Sequence, residues 1–120
     1  MGKNNSGNNT FVELEMADGS KVRMTLAFIH LNSLSAKNRD AYAAYNESWR
    51  KKEHKRDEFD NIRFLFTGYL CAAIADGTYD EAMSWNQFIE KLPIDREVIG
   101  KALMGLIAPN RKGDSAKRSE

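Results

Sequence analysis

Few side chains of this sequence have the types and spacing needed for chemistry. A metal site needs several histidine, cysteine or carboxylate ligands at short spacing, and neither His30 nor His54 has a second histidine or cysteine close to it. The single cysteine, Cys71, lies in the apolar run 70–74, which predicts a buried thiol instead of the exposed thiolate that nucleophilic catalysis requires. We therefore expect no metal site and no catalytic cysteine.

Three acidic residues, Asp57, Glu58 and Asp60, are the remaining candidates for acid–base chemistry. At the start of a predicted helix these carboxylates would also be stabilised by the positive end of the helix dipole, and that interpretation is the favoured one. The sequence has no glycine-rich phosphate loop, no serine–histidine–aspartate arrangement and no HExxH motif. We expect a protein without enzymatic activity and without a cofactor, which acts by binding other macromolecules.

The strongest charge feature is the segment 50–56, in which five basic residues and one acid give a local net charge of +4. It could be a solvated helix end, where the dipole favours basic side chains. It could also bind an acidic protein or a nucleic acid, and nucleic acid is the least favoured because no recognition helix or stacking motif flanks the segment. The candidate partner-binding residues here are Arg50, Lys51, Lys52, Lys55 and Arg56.

Size and composition limit the scaffold that can hold these groups. A chain of 120 residues fits one domain, and 18 basic against 17 acidic side chains give no overall field towards nucleic acid or membranes. A lone cysteine, no signal-peptide pattern and no membrane-length apolar run predict a cytoplasmic protein. We predict a flexible arm at 1–9, one domain at 10–108 and a flexible polar tail at 109–120.

Alternation of apolar and charged residues on both sides of an Asp-Gly turn predicts a β-hairpin at the start of the domain. A two-residue loop would place Leu14 opposite Arg23, which spoils the apolar face. A three-residue loop with a left-handed Gly19 instead places Leu14 opposite Val22 and Glu13 opposite Arg23, so we predict this register. The apolar face, which needs a helical layer or a partner to cover it, consists of Val12, Leu14, Met16, Val22, Met24 and Leu26.

The rest of the chain has helical periodicity and predicts about four to five helices, so the fold class is α+β and mostly α. A central, largely apolar helix should end at Gly77 in the left-handed conformation. Ser84 and Gln87 form a predicted capping box at the start of the following helix. Asp95 should cap the last helix, which Pro109 should end.

An aromatic stripe on the second predicted helix is either part of the core or a partner surface. A domain of about 100 residues struggles to bury this stripe, the hairpin face and the apolar side of the last helix together. Large apolar surfaces that stay exposed usually mark association sites. We therefore expect self-association or a partner protein, and the stripe consists of Tyr42, Tyr45 and Trp49.

The order of these elements resembles that of the tail assembly chaperones of long-tailed, siphovirus-like bacteriophages and prophages. The resemblance covers most of residues 10–108. It rests on the hairpin VELEMADGSKV (12–22), the apolar helix FLFTGYLCA (64–72) and the segments MSWNQFI (83–89) and LPIDR (92–96). It implies a non-catalytic factor in the host cytoplasm that binds the tape measure and tail tube proteins and is absent from finished virions.

The resemblance also implies that a longer form could arise by translational frameshifting near the C-terminus, with the tail at 111–120 as a plausible junction. Two other functions stay open on the residues alone. One is a small regulator that binds nucleic acid through the basic segment 50–56, with an affinity that falls steeply as salt is added. The other is a minor structural subunit that is retained in a finished particle.

Overall fold

The computed structural model describes the backbone of residues 11–118 and the side chains of residues 11–107, so the predicted arm at 1–9 lies outside the described residues. Within that range a two-stranded antiparallel hairpin precedes five α-helices, and the predicted fold class is confirmed. The strands are β1 (Val12–Glu15) and β2 (Lys21–Met24). The helices are α1 (Phe28–Lys37), α2 (Arg39–Arg50), α3 (Glu58–Asp76), α4 (Trp85–Lys91) and α5 (Arg96–Arg118), and two short 3₁₀ turns lie at Glu53–Lys55 and Tyr79–Glu81.

The predicted hairpin register is confirmed. Leu14 pairs with Val22 and Glu13 pairs with Arg23 across the two strands. Gly19 has a φ of 90°, a left-handed conformation that glycine adopts without steric cost. The N–H of Met16 donates to the carbonyl of Ser20 at 2.7 Å and so closes the turn. Alternation of side chains therefore sends one apolar face of the hairpin inwards, as the sequence indicated.

Helix α3 is the centre of the molecule, since it packs against β2 and against each of the other four α-helices. Its apolar residues extend around most of its circumference, which is typical of a helix buried on several sides. Its side chains Phe64, Leu65 and Cys71 are fully buried. On the same helix Gly68 lies close to Met24 of the hairpin, because a Cβ added to Gly68 would meet the Met24 Cβ at 3.1 Å.

The structure confirms the predicted starts of α3, α4 and α5 and the predicted end of α3. Asp57 and Asp60 form a capping box at the start of α3, which confirms that these acids stabilise a helix N-terminus. Gly77 ends α3 with a φ of 78°. Ser84 forms the predicted capping box at the start of α4, and the Asp95 carboxylate accepts the N–H of Glu97 at 2.9 Å.

One predicted boundary is wrong: α5 does not end at Pro109 but continues to Arg118. A proline inside a helix lacks the N–H that would donate to the carbonyl four residues earlier, here that of Gly105. The turns on either side keep their own hydrogen bonds, and five good helix formers follow Pro109 within the helix: Arg111, Lys112, Ala116, Lys117 and Arg118. The flexibility that the sequence indicated for 109–120 stays a prediction.

Candidate protein-binding groove

A groove of about 960 Å³ lies between α1, α2 and α5, with Leu26 of the connection between β2 and α1 at one side. Its floor is apolar and includes the buried side chains of Leu31, Tyr45 and Phe64. Concave sites of this size, lined mostly by apolar and aromatic side chains with a few polar groups, are typical binding sites. This groove is therefore a candidate binding site.

The aromatic stripe of α2 contributes to the core and to the groove at the same time. Tyr45 is 6% exposed and meets the ring of Phe64 edge-on at a centroid distance of 5.8 Å. Trp49 lies one helical turn further along, with its ring 4.9 Å from that of Phe64 and 40% of its surface exposed. Burial raises the pKa of Tyr45 to about 12, so its hydroxyl stays neutral at physiological pH.

Two exposed apolar side chains stand at the groove that were not among the candidate residues. Phe28 is 83% exposed and Met104 of α5 is 64% exposed, and both line the groove. Phe28 is the first residue of α1, so no earlier turn of that helix covers it, and Met104 lies outside the repeating apolar face of α5. In the sequence, these two residues can be recognised as large apolar residues at a helix start or outside the apolar face of a helix. Single exposed apolar residues of this kind are common on protein surfaces, so the pattern alone does not identify a binding site.

Arg56 connects the predicted basic segment to the groove. Its Nε donates to the carbonyl of Ser48 at 3.0 Å and its Nη2 to the carbonyl of Trp49 at 3.3 Å. These carbonyls belong to the last turn of α2, where the helix leaves its acceptors without intrahelical partners. The guanidinium also stacks over the rings of Trp49, at 4.8 Å, and Phe64, at 5.2 Å. Arg56 therefore fixes the wall of the groove.

Lys51 is bound to a carboxylate of α3. Its Nζ lies 2.9 Å and 3.2 Å from the two oxygens of Asp60, whose side chain is largely buried, and the Ser48 hydroxyl donates to the same carboxylate at 2.7 Å. Burial by itself would raise the pKa of Asp60, but the hydrogen bonds from Lys51, the Asp57 backbone and Ser48 hold it well below its usual range. This cluster ties the end of α2 to the start of α3.

The other basic residues of the segment 50–56 project into solvent. Arg50 pairs with Glu47 of its own helix at 3.3 Å, a geometry that contributes little when both side chains are exposed. Lys52 and Lys55 are exposed and form no ion pair with residues 11–107. Because Lys51 and Arg56 are bonded internally, less of the predicted positive charge is available to a nucleic acid than the sequence indicated.

Apart from Leu26, which lines the groove, the predicted hairpin face lies in the core and does not form an open partner surface. Leu14, Met16 and Met24 are at most 2% exposed, and Val12 and Val22 are partly buried against the same core. The charged face is also arranged differently from a simple cross-strand pairing, because Arg23 forms its ion pair with Asp76 of α3 at 2.7 Å. Of the predicted partner-binding residues, the groove brings together Leu26, Tyr42, Tyr45, Trp49 and Arg56.

The residues with possible chemistry do not converge. Cys71 is fully buried as expected, and burial raises the pKa of its thiol to about 12, far from the range of a reactive thiolate. Across the described side chains, no group of three or more histidine, cysteine, aspartate or glutamate residues is placed to hold a metal ion. The groove offers contact surface, hydrogen-bond donors and the stacked guanidinium of Arg56.

Comparisons of the chain with known protein families, with curated proteins and with solved structures find no match. None of the helices in the described range combines the length and the apolarity that crossing a membrane requires.

Proposed function

We propose that this protein is a non-catalytic tail assembly chaperone of a bacteriophage or prophage, and that its groove binds an apolar helix of a client protein. The client would be the tape measure protein, with the tail tube protein as a second partner, in the cytoplasm of the host. Self-association of the chaperone belongs to the same proposal. The observation that carries it is a formed groove with exposed apolar side chains at its edge.

The shape of the groove favours a helix as its occupant. Its long sides are helices, and an amphipathic helix lays residues at i, i+3, i+4 and i+7 into a groove of this kind. Phe28 and Met104 belong to α1 and α5, two of the helices that line the groove, and both stay largely exposed in the isolated chain. Apolar side chains that stay exposed beside a concave apolar surface are a usual feature of association sites.

A chaperone for a long helical client needs such a surface and no reactive group. The client that the resemblance implies is a long, hydrophobic helical protein, whose apolar faces would need cover during assembly. A groove that shields one apolar segment in each chaperone copy would supply that cover. The resemblance of the hairpin, the central helix and the capped helix α4 to tail assembly chaperones supports the same assignment.

The experiment is co-expression of the tagged chain with the tape measure protein of the phage or prophage that encodes it. We expect the two proteins to co-purify and the soluble fraction of the client to increase. A double variant, Phe28→Ser with Met104→Ser, should reduce the co-purified client at least several-fold, since both side chains would leave the interface. Ile29→Ser is the matched control, because Ile29 is 66% exposed on the same helix but does not line the groove.

Two results would contradict the proposal. A client that stays insoluble and does not co-purify would remove the chaperone assignment. Equal loss of client with Ile29→Ser and with the double variant would show that general surface apolarity, and not the groove, is responsible. Self-association is measured separately by sedimentation equilibrium of the chain alone.

A further inference from the structure

Arg56 has hydrogen-bonding capacity that the protein itself does not use. Its Nε and Nη2 donate to the carbonyls of Ser48 and Trp49, whereas Nη1 has no acceptor among residues 11–107. The guanidinium lines the groove and is held in place by the rings of Trp49 and Phe64. An arginine that is already oriented loses little side-chain entropy when it binds a further acceptor.

The surroundings of Arg56 make a charged acceptor favourable. The guanidinium lies against aromatic rings at the end of a mostly apolar groove, where water is partly excluded and electrostatic attraction is stronger than in bulk solvent. Hydrogen bonds between arginine and a carboxylate are among the strongest that proteins form. A carboxylate that enters the groove near Trp49 would therefore find a fixed cationic partner.

The groove contains one acidic side chain as well. Glu53 lines the groove and is exposed. It begins the 3₁₀ turn Glu53–Lys55, and the N–H of Arg56 donates to its carbonyl at 3.2 Å. Residues three apart eclipse one another in a 3₁₀ turn, so Glu53 and Arg56 lie on the same side of it. The negative charge of Glu53 therefore weakens the positive electrostatic potential that Arg56 produces in the groove, although the two side chains do not form a hydrogen bond.

We propose that the groove selects a client helix that carries an aspartate or glutamate among its apolar residues, with the carboxylate bound to Arg56. This inference rests on the proposed function and specifies the chemistry of the client. The occupant is chosen by charge complementarity: an apolar helix meets the groove floor, and its single carboxylate meets the one cation that the groove holds against aromatic rings.

The test uses two synthetic helical peptides of about 18 residues, long enough to be partly helical in water. Both carry leucines at i, i+3, i+4 and i+7, and they differ only in a central glutamate or glutamine on the apolar face. Calorimetric titration with the full chain should give a dissociation constant about tenfold lower for the glutamate peptide, as expected for a charged hydrogen bond. Added salt should reduce this preference.

A variant of the protein provides the second measurement. Glu53→Gln removes the acidic side chain of the groove without touching a hydrogen bond of the fold, so it should raise the affinity for the glutamate peptide about two- to threefold. The affinity for the glutamine peptide should not change. Glu13→Gln is the matched control, because Glu13 is an exposed acid on the outer face of the hairpin.

The outcomes separate this inference from the proposal on which it rests. Equal affinities for the two peptides, or no response to Glu53→Gln, would overturn the carboxylate preference while leaving helix binding in place. Failure of both peptides to bind would remove the groove as a helix site and this inference with it. Competition by a short oligonucleotide at the same site would also overturn it, because phosphate and not a carboxylate-bearing helix would then be the preferred anion.

Discussion

The hairpin and the aromatic helix α2 present apolar faces of similar character, but only one of them is closed. Leu14 and Met24 of the hairpin are at most 1% exposed, whereas Trp49 of α2 is 40% exposed at the edge of a groove. The sequence alone makes both faces candidates for a partner surface. The comparison shows that the apolar pattern of a face does not by itself decide whether the rest of the chain buries that face.

The residues that oppose each face account for the difference. The hairpin meets glycines: Gly68 of α3 faces Met24, and Gly105 of α5 faces Val12, whose two methyls would lie 3.4 Å and 3.6 Å from a Cβ added to Gly105. Glycine lets two backbones approach closely, so the side chains of the hairpin fill the space between them. Helix α2 meets large rings on α3, such as Phe64, and α1 and α5 do not close over the α2 side of the groove.

The substitution with the largest expected effect on stability tests whether the hairpin face is buried. Met24→Ala should lower the free energy of unfolding by about 2 to 5 kcal/mol, because a fully buried side chain is removed and a cavity remains. Urea denaturation followed by circular dichroism measures this free energy of unfolding. Ile94→Ala is the control: Ile94 is 90% exposed, so its substitution should change the free energy of unfolding by less than about 0.5 kcal/mol. Comparable effects of the two substitutions would mean that the hairpin face is not closed.

The second prediction concerns how the open side of the molecule is held. Asp60→Asn should cost about 1.5 to 3 kcal/mol at neutral pH, since a carboxylate with charged hydrogen bonds from Lys51 and Ser48 is replaced by an amide. The measurement is the urea midpoint of the variant against that of the wild-type chain. An unchanged midpoint would show that packing alone fixes α2 to α3.

The same pair of proteins should respond differently to acid. The pKa of Asp60 is held below its unfolded value of about 4, so its contribution is fully present above that pH and is lost as the pH falls through the folded value. The difference in urea midpoint between wild type and Asp60→Asn should therefore shrink at about pH 2.5. A constant difference across this range would contradict the charged state assigned to Asp60.

A further prediction tests the role of glycine beneath the hairpin. Gly68→Ala should destabilise the protein by about 1 kcal/mol, because the gain in helix propensity is outweighed by overpacking against the Met24 Cβ at 3.1 Å. Gly100→Ala is the control, since nothing lies within 4 Å of its added Cβ, and it should stabilise α5 by about 0.5 to 1 kcal/mol. Stabilisation by both substitutions would mean that close approach at Gly68 is not required.

The smallest effect on stability should come from the open face. Phe28→Ser should change the free energy of unfolding by no more than about 0.5 kcal/mol, because the side chain is 83% exposed. Thermal and urea unfolding both measure this. A large loss would place Phe28 in the core and so weaken its use as a groove residue.

The parts of the fold that the sequence predicted depend on local rules. The hairpin register follows from matching charges and apolar residues across a three-residue turn, and the capping boxes follow from residues three apart. The length of α5 could not be predicted in this way, because the rule that proline ends a helix is a preference with a finite cost, and the rest of the helix outweighs it here.

The groove itself was not predictable from local patterns. It depends on how α1 and α2, which follow each other in the chain, pack against α5, which lies far from both in the sequence, and on the bulky rings that keep these helices apart. Arg56 illustrates the same limit: its place in a basic run indicated a charged surface, but its bonds to the carbonyls of Ser48 and Trp49 exist only because α2 ends beside it. The exposed position of Met104 likewise depends on where α5 packs.

The N–H of Thr25, just after β2, donates to the carbonyl of Gly68 in the middle of α3 at 3.0 Å. Thr25 and Gly68 are both buried, so this bond cannot be exchanged for one to water while the hairpin remains docked. The ladder between β1 and β2 can form early by local contacts, but this bond requires that a segment more than forty residues away in the chain be in place. The hairpin and the central helix therefore belong to one cooperative folding unit. The rate at which the Thr25 amide exchanges its hydrogen for deuterium reports how often that unit opens.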